Sequence, residues 1–394
     1  MRKAIALALV AGAAAIVAAT AVAQSSGKAS AAASPVSCSG TLKIAFVTPL
    51  TGGASFLGTE QLTWAKYAVK TIPPTLGLKI RLLTGDTPVE QGSAPAQSLA
   101  QKYVADARVV GILGPSTSGA VAATSQTYFD AGLAHVSPSA TRTSLTKGDK
   151  KEATPAFFRV IPGDYIQGPS DANFMIEKLK VKKVVVLDFQ EPYSVGLADA
   201  VERTLKKGGV STTRLSIANT VTDFSSFVTK VPNDADVVFF PTQKPGDAQT
   251  FAKQLLEQGK TAKVFGGDGS NDASTFKTAG SYVSNFAPDI TGIAADAAIL
   301  AGWKKDNPGT PVGSFGPPSY GAVQVLLNAI KLACNQGDGK INDRRDVIRN
   351  MKKVKLNNWI LGGNFRFSTK SNDPLNAKFY IFQIQSNGSY KLVG

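Results

Sequence analysis

Residues 109–136 read VVGILGPSTSGAVAATSQTYFDAGLAHV. Val109 to Leu113 is a continuous apolar run, and Gly114-Pro115-Ser116-Thr117-Ser118-Gly119 is a loop of small and hydroxyl-bearing residues. Gly119 to Phe129 has a helical pattern, and Leu133 to Val136 is a second apolar run. Strand, loop, helix and strand in so short a segment make a βαβ unit. Strands that are apolar throughout, rather than at alternate positions, belong to a parallel sheet covered by helices on both faces.

The same rhythm extends in both directions. Upstream, Leu42 to Val47 is a strand, Gly58 to Lys70 a helix spaced by Leu62, Ala65 and Val69, and Leu78 to Leu83 the next strand. Ala96, Leu99, Ala100, Tyr103 and Val104 then recur at helical spacing. Phe157 to Ile161 closes this first set. A second set follows: strand Val181 to Leu187, helix Gly196 to Lys207, strand Thr213 to Ile217 and helix Phe224 to Lys230. Strand Val237 to Phe240, helix Ala248 to Gln258 and strand Ala262 to Phe265 continue it. Tyr320, Val323, Leu327, Ile330 and Cys334 mark a long helix, and Phe379 to Ile384 and Tyr390 to Val393 form a β-rich tail. The expected fold is α/β, with two doubly wound parallel-sheet lobes. In such sheets ligands bind beyond the carboxyl ends of the strands.

Composition narrows the function. The 394 residues suffice for two domains, and 43% hydrophobic with 18% charged residues excludes a disordered or coiled-coil chain. A single His and two Cys exclude a multi-histidine metal site. The formal charge is +15, but Lys182-Lys183, Lys206-Lys207 and Lys352-Lys353 are scattered pairs without interleaved aromatics. They read as solvated faces, so no nucleic acid partner is expected.

The amino terminus reads as an export signal. Met1-Arg2-Lys3 is positive, Ala4 to Ala19 is apolar, and Ala21-Val22-Ala23 supplies the small-x-small cleavage pattern. A transmembrane anchor is the competing reading, against which stand the Ala-rich run and the lack of a following positive cluster. Gln24 to Ser37 is an Ala/Ser-rich, flexible leader. Cys38 lies too far along for a lipid anchor, so the chain is expected to be free in the periplasm or cell envelope.

Three strand-end loops carry chemistry. Gly114 to Gly119 offers hydroxyls and free amides at a helix start, a cradle for a carboxylate or phosphate, and Ser137-Pro138-Ser139-Ala140-Thr141 is a second hydroxyl-rich turn. Gly266-Gly267-Asp268-Gly269-Ser270 sets one carboxylate among glycines. Together they suit a zwitterion, although N-capping alone explains such Ser/Thr loops when they occur singly.

The ordered series LKIAFVTPLTG, GILGPSTSG, SPSAT, FFRVIPGDYIQGP, QEPYSVGLADA and GGDG resembles the substrate-binding proteins of the branched-chain amino acid (leucine/isoleucine/valine) ABC transporter family. These have the type I periplasmic-binding fold, and the likeness runs from Leu42 to the C-terminus. The resemblance implies that Ser118, with Thr117 beside it, holds a ligand carboxylate. It assigns Ser139 a carbonyl contact and Thr141 a hydroxyl and amide contact. Asp268 falls where the family holds the ammonium, and Tyr193 where an aromatic closes over the ligand. The family's two side-chain aromatics fall on Leu57, beside Phe56, and on Gln243, next to Lys244, which departs from the leucine/isoleucine/valine pattern.

The resemblance thus implies a periplasmic, non-enzymatic solute-binding protein that delivers an amino acid to the membrane permease of an ABC importer. No cofactor or metal is expected, and a monomer is. An amide, urea, aromatic acid or dicarboxylic acid ligand remains open, as does a sensing receptor module. The expected division is 1–23 signal peptide, 24–40 leader, 41–159 and 289–366 the two parts of lobe 1, and 160–288 and 367–394 those of lobe 2. Cys38 and Cys334 fall at the same edge of the first sheet, so a disulfide is expected, with a buried Cys334 thiol as the alternative. His135 reads as a core residue. Its other reading, the base of a Ser-His-Asp hydrolase with Ser118 and Asp268, lacks a GxSxG elbow. A calcium loop starting at Asp268 lacks its Glu, since position 279 is Ala.

Overall fold

The computed structural model describes residues 35–149 and 151–394. The expected signal peptide and the leader up to residue 34 lie outside the described residues. Five parallel strands form a first sheet in the order Lys79–Asp86, Thr41–Thr48, Val109–Leu113, His135–Ser137, Phe157–Arg159. Seven strands form a second, ordered Tyr390–Leu392, Tyr380–Ile384, Tyr282–Asn285, Lys263–Gly266, Val237–Phe239, Lys183–Asp188, Ser211–Ser216. Its last two strands in sequence join antiparallel, and the rest are parallel. The central strands are buried along their whole length, which is why their sequences are apolar without alternation.

Helix Ser55–Leu76 is longer than its periodicity suggests and carries Pro73 and Pro74 in its last turn. Gly77 ends it in the left-handed region at φ 67°, where its amide and that of Leu78 take up the carbonyls of Pro74 and Pro73. Trp64 on this helix stacks on Trp303 at 4.6 Å between rings. The stack draws helix Ala297–Asp306 and the long helix Gly316–Gln336 onto the core of the first sheet. Helix Ser225–Val228 is only four residues long, shorter than expected.

The chain passes between the sheets three times, after Arg159, after Asn285 and again before Tyr380. The first and third passages are tied together by a buried ion pair. Arg159 Nε donates to Asp373 at 2.7 Å, with the two side chains 0% and 1% exposed. Thr146 and Tyr165 hydroxyls also donate to Asp373.

At the opposite edge Cys38 and Cys334 are joined in a disulfide with Cα atoms 6.1 Å apart. The adjoining residues correct the reading of a wholly flexible leader. Val36–Ser37 pair antiparallel with Lys340–Ile341, because the disulfide holds them beside that strand.

Candidate functional site

Both hydroxyl loops converge at the carboxyl edge of the first sheet. Thr117 stands at the N-cap of helix Ser118–Asp130 in extended conformation, and no side chain caps the first-turn amides. Those amides therefore still want an acceptor, at the positive end of the helix dipole. Ser118 Oγ accepts from the Arg142 amide at 3.2 Å, so its own hydroxyl hydrogen is free to donate to a ligand. Ser139 Oγ instead donates to the Ser116 carbonyl at 2.7 Å and accepts from Gln61 Nε2 at 2.8 Å. Gln61 also accepts from Ser116 and Thr48, and so stitches the loops together. Thr141 Oγ1 is buried without a partner, while its carbonyl accepts from the Asp164 amide and from Arg159 Nη1.

Tyr193 and Asp268 face these loops from the second sheet's side. The Tyr193 hydroxyl donates to Asp268 Oδ1 at 2.9 Å and accepts from the Gly269 amide at 3.0 Å. Gly267 makes the approach possible, since a Cβ there would lie 2.5 Å from the Tyr193 hydroxyl. Burial pushes the Asp268 carboxyl up to about 6, against the opposing effect of donors on Gln167 and Tyr193. Burial, then the Asp268 charge, raises the Tyr193 phenol.

The two sides already meet. A Cβ on Gly119 would stand 3.3 Å from Pro192, and Arg142 donates to the Pro192 carbonyl across the gap. Pro192 opens helix Pro192–Lys207, whose first turn is capped by its own Glu191. Helix Asp164–Glu177 packs tightly on this helix, with Gly168 giving the room: a Cβ there would come within 2.4 Å of Ala200.

The remaining expected residues divide. Gln243 lies against Gly269 and near the Glu191 carboxylate. Phe56 lines a cavity of about 450 Å³, with Glu90, Asn219, Lys244, Asp247 and Asp272 among its walls. Leu57 does not line it. Neighbouring helical positions point about 100° apart, and Leu57 packs into the first sheet's core. Lys244 bonds to Asp247 and the Asn219 carbonyl and lies 4.8 Å over the Phe189 ring.

Sequence reasoning missed Asp164, Gln167 and Asp171, which share one face of helix Asp164–Glu177 and are all fully buried. Their spacing of i, i+3, i+7 was the available signal. Burial and then the Asp268 charge raise the Asp164 carboxyl to about 7. His135 is a core residue, its ring between Tyr128 and Phe157 and its Nε2 on Ser125. It makes no contact with Ser118 or Asp268 among the described hydrogen bonds. Among the described residues no helix is long and apolar enough to cross a membrane, and no acidic or histidine group has an arrangement that could hold a metal ion.

Comparison with known proteins fits this architecture. The Leu/Ile/Val-binding protein homolog 1 of Brucella abortus is 27% identical over 357 residues, 88% of this chain and 91% of that one. The leucine binding protein LivK of Thermotoga maritima has the same fold, with a TM-score of 0.79 at 22% identity, covering 90% of this chain and 98% of its own. A solute-binding protein of an R. palustris ABC transporter, solved with benzoate, superposes with a TM-score of 0.76 at 18% identity over 90% and 96% of the two chains. The periplasmic binding protein family matches residues 41–389, from the first core strand into the last hairpin, and the chain belongs to that family.

Proposed function

We propose that this protein is an extracytoplasmic solute-binding protein that captures an α-amino acid between two closing lobes and presents it to the membrane permease of an ABC importer. In this reading lobe 1 comprises 41–159 and 289–366, and lobe 2 comprises 160–288 and 367–394. The protein binds its ligand and does not transform it.

One observation carries the proposal. An uncapped helix start with a free Ser118 hydroxyl lies on one side of the closed gap, and the bonded Tyr193–Asp268 pair on the other. Donors face where a carboxylate would sit and a carboxylate faces where an ammonium would sit. Charge-assisted hydrogen bonds contribute about 1.5–3 kcal/mol each, so several together reach micromolar affinity or tighter. Leu57 and Gln243 stand where the Leu/Ile/Val pattern would have aromatics, and the buried Gln243 amide against Gly269 favours a ligand side chain with a polar end over a purely branched aliphatic one.

The test is a thermal-shift screen against amino acids, amides and aromatic acids. A ligand at 100 times its dissociation constant stabilises the fold by about 2.7 kcal/mol. A response confined to α-amino acids supports the proposal. A response only to carboxylates without an ammonium removes Asp268 from its role, and silence across the panel removes the amino acid reading.

A further inference from the structure

Helix Asp164–Glu177 turns a polar face inward. Asp171 Oδ2 accepts from the Ser284 hydroxyl at 3.0 Å, and that hydroxyl accepts from Gln167 Nε2 at 2.9 Å. What remains is a surplus of acceptors: Asp164, Asp171 Oδ1 and Gln167 Oε1 are buried without a close hydrogen bond, the Thr141 hydroxyl being the neutral donor beside the Asp164 carboxyl. Tyr193 and Asp268, from the same lobe as this helix, close the cluster, with Asp268 near enough to act electrostatically on both helix carboxylates.

The chain's own cations do not answer this surplus. Arg159 and Arg142 are the basic groups that Asp164 feels, and both are committed elsewhere. Arg159 is bonded to Asp373, Thr146 and the carbonyls of residues 140–142. Arg142 is bonded to Ser144, Glu152 and the Pro192 carbonyl. Among the described residues no cation acts on Asp171: the groups it feels are Ser284, Asp268 and Asp164. The carboxylates also do not have an arrangement that could hold a metal ion.

Like charges sharing a dry site cannot all ionise, so in the empty protein part of this cluster carries protons. Resting on the amino acid reading above, we propose that the ligand's ammonium is shared between Asp268 and Asp164, and that it enters in exchange for a proton which these carboxylates hold when the cleft is empty. The exchange balances: a protonated site and a cationic group give a site with both carboxylates ionised around that cation, and the proton goes to solvent. An ammonium brings three N–H donors where the acceptors stand unpaired. Asp164 then selects for ammonium-bearing ligands, because an acid without one leaves the carboxylates protonated and gains nothing from them.

The sign of the pH dependence follows. The raised carboxyls, at about 7 for Asp164 and about 6 for Asp268, place the exchange near neutrality. Affinity rises with pH through that window and weakens by about tenfold per pH unit below it for each proton exchanged. A free amino acid keeps its ammonium and its carboxylate throughout, so the change belongs to the protein.

The experiment is isothermal titration of the purified protein with each common L-amino acid in turn, at pH 7, in phosphate and in Tris. The ionisation heats of these buffers differ widely. A buffer-dependent heat corresponding to release of about half a proton or more per ligand supports the proposal, and Asp164→Asn should abolish most of that release and weaken binding. Binding with the same heat in both buffers overturns the exchange while leaving the amino acid reading intact. No binding by any amino acid overturns both. Because the wild-type protein decides the first point, a failure of Asp164→Asn to fold leaves the test standing.

Discussion

Asp373→Ala removes the only carboxylate that, among the described residues, is bonded to Arg159, a guanidinium with no exposure to solvent. Breaking a buried pair by deleting one partner costs about 3–5 kcal/mol, because the charge left behind is neither hydrated nor paired. The Thr146 and Tyr165 hydroxyls, 3.1 Å from Asp373, lose their acceptor as well. Against a typical total stability of about 5–15 kcal/mol, this is a large fraction. Urea denaturation at pH 7 measures it. Lys147→Ala is the control: its ammonium lies 3.9 Å from Asp373 but is 39% exposed, so its loss costs under about 1 kcal/mol. Arg159→Met combined with Asp373→Leu should recover part of the loss. The pH dependence has a definite sign. Burial pushes the Asp373 carboxyl up, but Arg159 more than offsets this and holds it below the ordinary range. The stabilisation is therefore complete above the usual carboxylate range and disappears as pH falls through the depressed value. A loss below about 1 kcal/mol for Asp373→Ala would refute the reasoning. Binding should suffer too, since Arg159 Nη1 holds the Thr141 carbonyl at 2.7 Å.

Tyr193→Phe deletes the donor to Asp268 and the acceptor for the Gly269 amide, and should weaken amino acid binding by about 1–3 kcal/mol in calorimetry. Unchanged affinity would place the hydroxyl outside the binding reaction. Cys334→Ser opens a disulfide spanning 296 residues of sequence and should lower unfolding stability by about 2–5 kcal/mol, with reductant producing the same shift in the wild type. Burial lowers the His135 imidazole to about 3, so the folded protein holds it neutral where the unfolded chain would protonate it. Stability should therefore fall as pH drops from about 6.5 toward 3, by up to about 1.4 kcal/mol per pH unit from this residue. His135→Leu should show a shallower acid slope, and identical slopes would contradict the assignment.

The parallel strands were legible because burial on both faces leaves continuous apolar runs such as VVGIL and VVVL. Strand Tyr282–Asn285 was not, since YVSN carries Ser284 and Asn285 in positions that bond within the protein's interior. Helix Asp164–Glu177 escaped for the same reason. Its buried face carries Asp164, Gln167 and Asp171, and Pro169 interrupts the pattern further. The rule that ligands sit beyond strand ends pointed to the hydroxyl loops and to Asp268. It could not point to Asp164, which follows a crossover. The pairing of Val36–Ser37 was equally invisible, because two residues hold their place only through the neighbouring disulfide.

Two helix starts meet across the gap, and they are not equivalent. The first turn of Ser118–Asp130 has no side-chain cap, whereas Glu191 fills that role for Pro192–Lys207 by accepting from the Tyr193 and Ser194 amides. A second carboxylate brought to the Pro192 end would have to displace Glu191 and would face its charge. On the far side, Asp164, Asp171 and Asp268 repel anions as well. The proposed site is thus dipolar, with one place for an anion and an acidic cluster for a cation. That balance argues against a dicarboxylic ligand. L-glutamate should bind at least tenfold more weakly than L-glutamine, which has nearly the same shape. Calorimetry that ranks glutamate equal or tighter would mean that the Ser118 end is not the anion site.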